Sequence, residues 1–155
     1  MSRKVFRRSV TTTSTTLKDI GEIGDKRFEN GETYRLVYTS ASLASGAILT
    51  YASATGSADY EVQTLTAHTQ PVYGWNDTGA TVPALSYFWA LVEGNISLTS
   101  GLLGAALTGA TGVALNSAEK YIDWTSASTS LPCGQSIKAI ASNASGTIRG
   151  RGLGA

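Results

Sequence analysis

Few side chains in this 155-residue sequence have the types and spacing that support catalysis or metal binding. His68 is the single histidine and Cys133 the single cysteine, which excludes multi-histidine metal sites, zinc sites built from several thiolates and an intrachain disulfide framework. A hydrolytic triad would need His68 as its base, but the sequence contains no GxSxG nucleophile motif. Asp59 and Glu61 lie two apart on a predicted strand and share a face, which offers a carboxylate pair, although solvated strand charges are the favoured interpretation. We therefore predict a protein without enzymatic activity and without a cofactor.

The three tryptophans, Trp75, Trp89 and Trp124, allow two interpretations. Together with the seven tyrosines they could line a sugar-binding surface. Aromatic residues at strand spacing in a chain rich in small residues usually form the core, and that interpretation is preferred. Nucleotide binding is disfavoured, because the glycines between residues 101 and 112 lack GxGxxG spacing and no Gly-Lys-Ser/Thr follows a glycine loop.

The elements that must position these residues are predicted to be short strands. Residues 33–39 alternate between an apolar face with Tyr34, Leu36 and Tyr38 and a more polar face, as a half-buried strand requires. Further strands are predicted over residues 47–51, 60–66, 71–75, 85–93, 121–124, 135–141 and 147–149, separated by Gly, Ser and Asn/Asp clusters. This spacing predicts an all-β fold, a small antiparallel β-barrel or β-sandwich.

The strand predicted over residues 85–93 is expected at the centre of the sheet. Residues 87–92 are apolar at every position, so both of its faces should be buried. Gly94 and Asn95 form a two-residue turn signal, which predicts a hairpin that continues through Ile96 and Leu98. The uncharged stretch from residue 94 to residue 118 is interrupted by hydroxyl and amide side chains, so we predict no membrane span.

Charge is segregated along the chain, although the net charge is only +1. Residues 1–18 contain five basic residues and no acid, whereas all 11 acids lie between residues 19 and 123. A basic, Thr-rich segment cannot bury enough apolar surface to order alone, so we predict an extended N-terminal arm over residues 1–18 and a single β-rich domain, the body, over residues 19–155. The arm lacks the apolar stretch of a signal peptide, so synthesis in the cytoplasm is expected.

The arm residues expected to bind a partner are Arg3, Lys4, Phe6, Arg7 and Arg8. They suit an acidic protein surface. Nucleic acid is a disfavoured partner, because four clustered basic residues give a modest electrostatic footprint and only Phe6 could stack on a base. A solvated, frayed terminus is the alternative interpretation of the same residues.

Three stretches of the sequence resemble the decoration, cement or hub proteins that bind the outside of tailed-bacteriophage capsids. Residues 25–49 (DKRFENGETYRLVYTSASLASGAIL) place a short hairpin before an alanine-serine stretch. Residues 80–115 (ATVPALSYFWALVEGNISLTSGLLGAALTGATGVAL) place an aromatic strand before a turn and a run of small residues. Residues 134–151 (GQSIKAIASNASGTIRGR) resemble the closing segment of that group.

The resemblance implies a non-enzymatic, β-rich subunit that oligomerises on the major capsid protein of an assembled shell, at the outer surface of the virion. A cyclic trimer is the preferred oligomer, because small β subunits often complete their apolar burial between protomers. Two alternatives stay open: a tail or fibre component, and a carbohydrate-binding adhesin that uses the aromatic residues.

Overall fold

The computed structural model describes residues 8–52, 60–125 and 131–155. It confirms the all-β prediction, since 43% of the described residues are in strands or isolated β-bridges and 4% are in helices, and the antiparallel sheet curls into a half-barrel. The strands of the described residues are, in chain order, β1 (Thr13–Ser14), β2 (Lys26–Glu29), β3 (Glu32–Thr39), β4 (Ile48–Tyr51), β5 (Val62–Thr64), β6 (Gly74–Trp75), β7 (Ser86–Leu98), β8 (Gly112–Leu115), β9 (Tyr121–Asp123), β10 (Gly134–Ser136) and β11 (Gly146–Arg151). Two 3-10 helices of one turn each cover Leu17–Asp19 and Ser100–Leu102.

The long strand β7 is the centre of the sheet. It pairs antiparallel with β1, β3, β6 and β11. The sheet continues from β6 through β4 to β5, and from β11 through β10 and β8 to β9. The predicted burial of both faces is confirmed for residues 88–92, since Phe88 and Trp89 point to opposite faces and are 0% and 1% exposed.

The two faces of β7 belong to different parts of the core. On one face, Trp89 and Leu91 pack with Ile20 and Leu36. The other face packs in a second cluster, made of Val37, Leu43, Leu49, Val62, Tyr73, Val82, Phe88, Ala90 and Val92. Leu98, at the end of β7, belongs to a third cluster, which it forms with residues of β8, β9 and β11 such as Val113, Tyr121 and Ile148. The core therefore extends along the whole length of β7.

The hairpin between β2 and β3 has the turn that its sequence predicts. Asn30 and Gly31 both have positive φ, +52° and +80°, and they join Glu29 and Glu32, which are paired residues of the two strands. This backbone is typical of a two-residue turn with the sequence Asn-Gly. The turn places β2 at the edge of the sheet, where it pairs with β3 alone among the described strands.

The hairpin predicted at Gly94 and Asn95 is wrong. β7 passes straight through both residues and pairs with β11 over this part of its length. A Cβ atom on Gly94 would lie 2.7 Å from Cδ1 of Leu91 and 3.0 Å from Cγ of Glu32. The backbone N–H of Asn95 donates a hydrogen bond of 3.2 Å to Oε1 of Glu32. The glycine therefore makes room for the side chain of a neighbouring strand and does not form a turn.

Candidate interaction surface

The segment over residues 8–20, which we call the anchor segment, lies against the body of its own chain. Thr13 and Ser14 form β1 and pair with Phe88 and Tyr87 of β7. Val10 and Leu17 pack against the cluster around Trp89. The extended arm predicted over residues 1–18 is therefore not extended away from the body over residues 8–18. The prediction of a free arm did not take Val10 and Leu17 into account. Their apolar side chains cover a face that β7 would otherwise expose.

Arg27 ties the start of the anchor segment to β2. Its Nη1 donates to the backbone carbonyl of Arg8, and its Nη2 lies 2.6 Å from Oε2 of Glu29. The guanidinium carbon lies 5.9 Å from the ring centroid of Trp89, a distance typical of a cation–π contact. Arg8 itself is exposed. The backbone of Arg8 therefore lies beside β2.

The remaining predicted arm contacts, Arg3, Lys4, Phe6 and Arg7, lie outside the described residues. The structure thus places one of the five predicted binding residues, Arg8. The role predicted for them stays a prediction.

Phe28 is an exposed aromatic residue that the sequence analysis did not single out. Its side chain is 77% exposed and lies on the edge strand β2. Lys26, two residues earlier on the same strand, is also exposed and shares its face. The exposure of Phe28 has a signal in the sequence Lys26-Arg27-Phe28-Glu29. Because side chains alternate along a strand, Phe28 projects to the face opposite to that of Arg27, and Arg27 faces the anchor segment. We call Lys26 and Phe28 the β2 surface.

Acidic side chains surround the end of the neighbouring strand β3. Glu32 accepts a hydrogen bond of 2.6 Å from the hydroxyl of Tyr34 through Oε2, in addition to the bond from Asn95. Burial and then the bond to Glu32 raise the pKa of Tyr34, so its hydroxyl stays a donor. Burial, and next the charge of Glu32, also raise the pKa of Asp77. Arg149 also reaches the Asn30–Gly31 turn, since its Nη2 donates a hydrogen bond of 2.9 Å to the carbonyl of Gly31, so acidic and basic side chains are mixed in this region.

The three tryptophans do not form one surface. Trp89 is 1% exposed and Trp75 is 2% exposed, and Nε1 of Trp75 donates a hydrogen bond of 2.8 Å to the hydroxyl of Tyr121. Both belong to the core, as the sequence analysis preferred. Trp124 is 41% exposed, so it is the tryptophan of the three that a ligand in solution can reach.

Trp124, which directly follows β9, begins a row of residues that crosses the four strands β8, β10, β11 and β7. Its N–H bonds to the carbonyl of Gly112, which is paired with Gln135, and Gln135 is paired with Arg149. Arg149 is paired in turn with Asn95 on β7. Paired residues on antiparallel strands project to the same face. An indole, an amide and a guanidinium therefore share one face, with a glycine beside the indole.

The polar residues considered for catalysis are not assembled into a site by the described residues. Glu61 forms an isolated bridge with Tyr38, and His68 lies in the turn closed by the Gln70–Ala67 hydrogen bond, while Asp59 lies outside the described residues. In the part of the chain that the structure describes, no group of three or more His, Cys, Asp or Glu side chains is placed to hold a metal ion.

The single cysteine is a core residue. Cys133 is 1% exposed and packs in the third cluster with Tyr121 and Ile148. Burial raises the pKa of its thiol to about 12, so almost none of it is thiolate at neutral pH. The thiolate is the nucleophilic form, and Cys133 therefore serves packing in this fold.

No helix formed by residues 8–52, 60–125 and 131–155 has the length and apolar character needed to cross a membrane. No known family model, curated protein or solved structure matches the chain.

Proposed function

We propose that this chain is a non-enzymatic structural subunit of a virion, a capsid decoration or cement protein that binds the outer surface of an assembled shell. In this proposal the basic residues that precede the anchor segment dock on the major capsid protein. The body is the rigid support that holds them at the shell surface.

The observation that carries the proposal is the way the anchor segment is fixed. Val10 and Leu17 pack on the core, β1 joins the sheet, and Arg27 holds the carbonyl of Arg8. A strand, an apolar contact and a hydrogen bond therefore fix the position of Arg8, the first described residue. A short basic peptide next to a rigidly held residue loses less conformational entropy on docking than the same peptide at the end of a longer flexible segment. This difference favours a binding role for the basic residues.

The β2 surface offers a second contact, on the face of β2 opposite to Arg27, which holds the backbone of Arg8. Phe28 is 77% exposed, and burying a phenylalanine side chain completely contributes about 1.5–3 kcal/mol. Lys26 adds a positive charge on the same face. A partner surface with an apolar pocket and acidic rim would complement this arrangement, and many such weak contacts on one lattice act together.

Self-association, with a cyclic trimer preferred, is part of the proposal. The chain carries a basic N-terminal end and an acidic body, and these are complementary between neighbouring copies. If the contact is electrostatic, raising the salt concentration should shift the protein towards monomer, because exposed charges are screened. Sedimentation of a monomer alone, at low salt and at every concentration, would count against self-association in solution.

The test of the capsid role is to express the gene with its genomic neighbours, purify assembled particles and image them by electron cryo-microscopy. The proposal predicts density for the chain at regular positions on the outside of the shell. Phe28→Ala should lower its occupancy, whereas Leu131→Ala, which removes an exposed leucine elsewhere on the body, should not. Particles that form without the chain, while it stays in the soluble fraction, would contradict the proposal.

A carbohydrate-binding adhesin is the second candidate function, and the row that begins at Trp124 favours it. An exposed indole provides an apolar face for a sugar ring, and the Gln135, Arg149 and Asn95 side chains provide hydrogen-bonding groups on the same surface. A glycan array separates the two functions. Under the second candidate Trp124→Ala loses the bound glycan and Phe28→Ala does not, while under the capsid proposal neither variant nor the wild type binds glycan.

A further inference from the structure

A small cavity lies between β3, β4 and the last residues of the chain. Its volume is about 240 Å³, and the residues that line it are Arg35, Tyr51, Tyr60, Tyr73, Leu153 and Gly154. At about 30 Å³ for a water molecule in the liquid, this is room for roughly eight waters. It is below the 300–1,000 Å³ typical of pockets for drug-sized ligands, so the cavity suits a small ligand.

Arg35 is held in place by hydrogen bonds that use only some of the N–H donors of its guanidinium group. Its Nε donates a hydrogen bond of 2.7 Å to the carbonyl of Gly154, and its Nη1 donates one of 3.1 Å to the carbonyl of Gly24. The guanidinium carbon lies 5.6 Å from the ring centroid of Tyr60. A guanidinium has five N–H donors, and Nη2 forms no hydrogen bond or ion pair with the described residues. The cavity is therefore lined by a fixed cation without a carboxylate partner in the described structure.

The hydroxyl of Tyr73 is buried and has no hydrogen-bond partner among the described residues. The whole residue is 1% exposed, and its ring meets the ring of Tyr51 edge to face, with centroids 4.9 Å apart. Burial raises the pKa of Tyr73, while the charge of Arg35 acts in the opposite direction. The hydroxyl therefore stays protonated and can donate. Buried polar groups are nearly always paired, so an unpaired hydroxyl at the wall of a cavity indicates a missing acceptor.

We propose that this cavity binds a small oxyanion, with Nη2 of Arg35 and the hydroxyl of Tyr73 as its principal donors. Tyr51 and Tyr60 also line the cavity. A phosphate, a sulfate or a carboxylate group offers the acceptor oxygens and the negative charge that this set of donors complements. The ligand is either a free ion or the carboxylate of a bound partner protein.

The test measures thermal unfolding of the full chain with sodium phosphate, sulfate or acetate, each compared with chloride at equal ionic strength. Binding to the folded state should raise the midpoint with anion concentration. Phosphate and sulfate also stabilise proteins without binding, so the informative quantity is the difference between wild type and the Tyr73→Phe variant. This variant removes one hydroxyl and leaves the ring in place.

Tyr73→Phe should unfold at the same temperature as the wild type without oxyanion, or higher, because it removes a buried hydroxyl without a partner. Its affinity for the oxyanion should fall about tenfold, the usual effect of losing one hydrogen bond to a charged group. Tyr87→Phe, a matched change in a tyrosine that packs on Tyr38 instead, should bind as the wild type does.

The anions distinguish the two sources of the ligand. Binding of phosphate or sulfate but not acetate assigns the site to a free tetrahedral ion, and binding of acetate assigns it to a carboxylate. The proposal is overturned if the three anions raise the midpoint no more than chloride does, or if they act equally on the wild type and on Tyr73→Phe. Because Tyr73→Phe keeps the packing of the site, this outcome can be read even if substitutions of Arg35 prevent folding.

Discussion

Replacing Ile20 by alanine tests whether the anchor segment is part of the folded body. Ile20 is 7% exposed and packs with Leu36, Trp89 and Leu91. Substituting a buried isoleucine by alanine costs about 3 kcal/mol, because the lost apolar transfer energy adds to the energy of the cavity left behind. In a domain of this size 1 kcal/mol corresponds to about 2–4 °C, so the expected fall in the unfolding midpoint is about 6–12 °C.

Urea unfolding followed by tryptophan fluorescence measures the loss of about 3 kcal/mol in the free energy of unfolding, since the buried Trp89 lies in the same cluster. The matched control is Ile137→Ala, which makes the same substitution at a side chain that is 59% exposed. The control should change the free energy of unfolding by about 0.5 kcal/mol or less. Equal effects of the two substitutions would refute the packing of the anchor segment on the body.

Three further predictions concern other parts of the body. Gly152→Ala should destabilise by about 3 kcal/mol in the same assay, because its Cβ would lie 2.0 Å from the carbonyl oxygen of Tyr73, whereas Gly101→Ala, in open space, should have little effect. The thiol of Cys133 should not react with a thiol reagent at pH 8 in the folded protein and should react fully in urea; fast reaction of the folded protein would contradict its burial. Burial alone would raise the pKa of Asp123, but its hydrogen bonds from Thr108 and Thr111 together hold that pKa below its ordinary value. The stability gained from these bonds is therefore present above the unfolded-state pKa of about 3.9 and lost as the pH falls through the lower folded value. The stability difference between wild type and Asp123→Asn should shrink on acidification from pH 5 to pH 2, and a constant difference would contradict this reasoning.

The parts of the fold that follow from local sequence were predicted correctly. Alternating residues identified β3, and the apolar run from residue 87 to residue 92 identified the central strand. Neighbouring residues are sufficient to predict both strands, because the period of the side chains is a local property.

The errors arose where contacts between distant residues decide the structure. Gly94 and Asn95 have the composition of a turn, but the side chain of Glu32, some sixty residues earlier, accepts the N–H of Asn95 and keeps the strand straight. Residues 8–18 have the composition of a free arm, but the face of Trp89 provides a surface on which Val10 and Leu17 pack. Neither contact can be predicted from its own segment alone, because each depends on a residue of a distant strand.

Some features of the candidate surfaces can be predicted from neighbouring residues, and others depend on contacts between distant residues. The basic residues before residue 9 and the exposed face of β2 can be recognised from residue type and period, although the exposure of Phe28 required the structure. The cavity around Arg35 and Tyr73 could not be predicted, because its lining residues come from segments between residue 35 and residue 154 that only the sheet brings together.

The most direct test of the central claim removes residues 1–7 and measures how much of the chain binds to shells prepared without it. We predict that occupancy falls at least tenfold while the urea midpoint stays within the error of the full chain, because the anchor segment and the core are retained. Lys138→Ala with Arg151→Ala, which removes two exposed positive charges elsewhere, should leave occupancy unchanged. Full occupancy by the shortened chain would contradict the claim that these residues bind the shell.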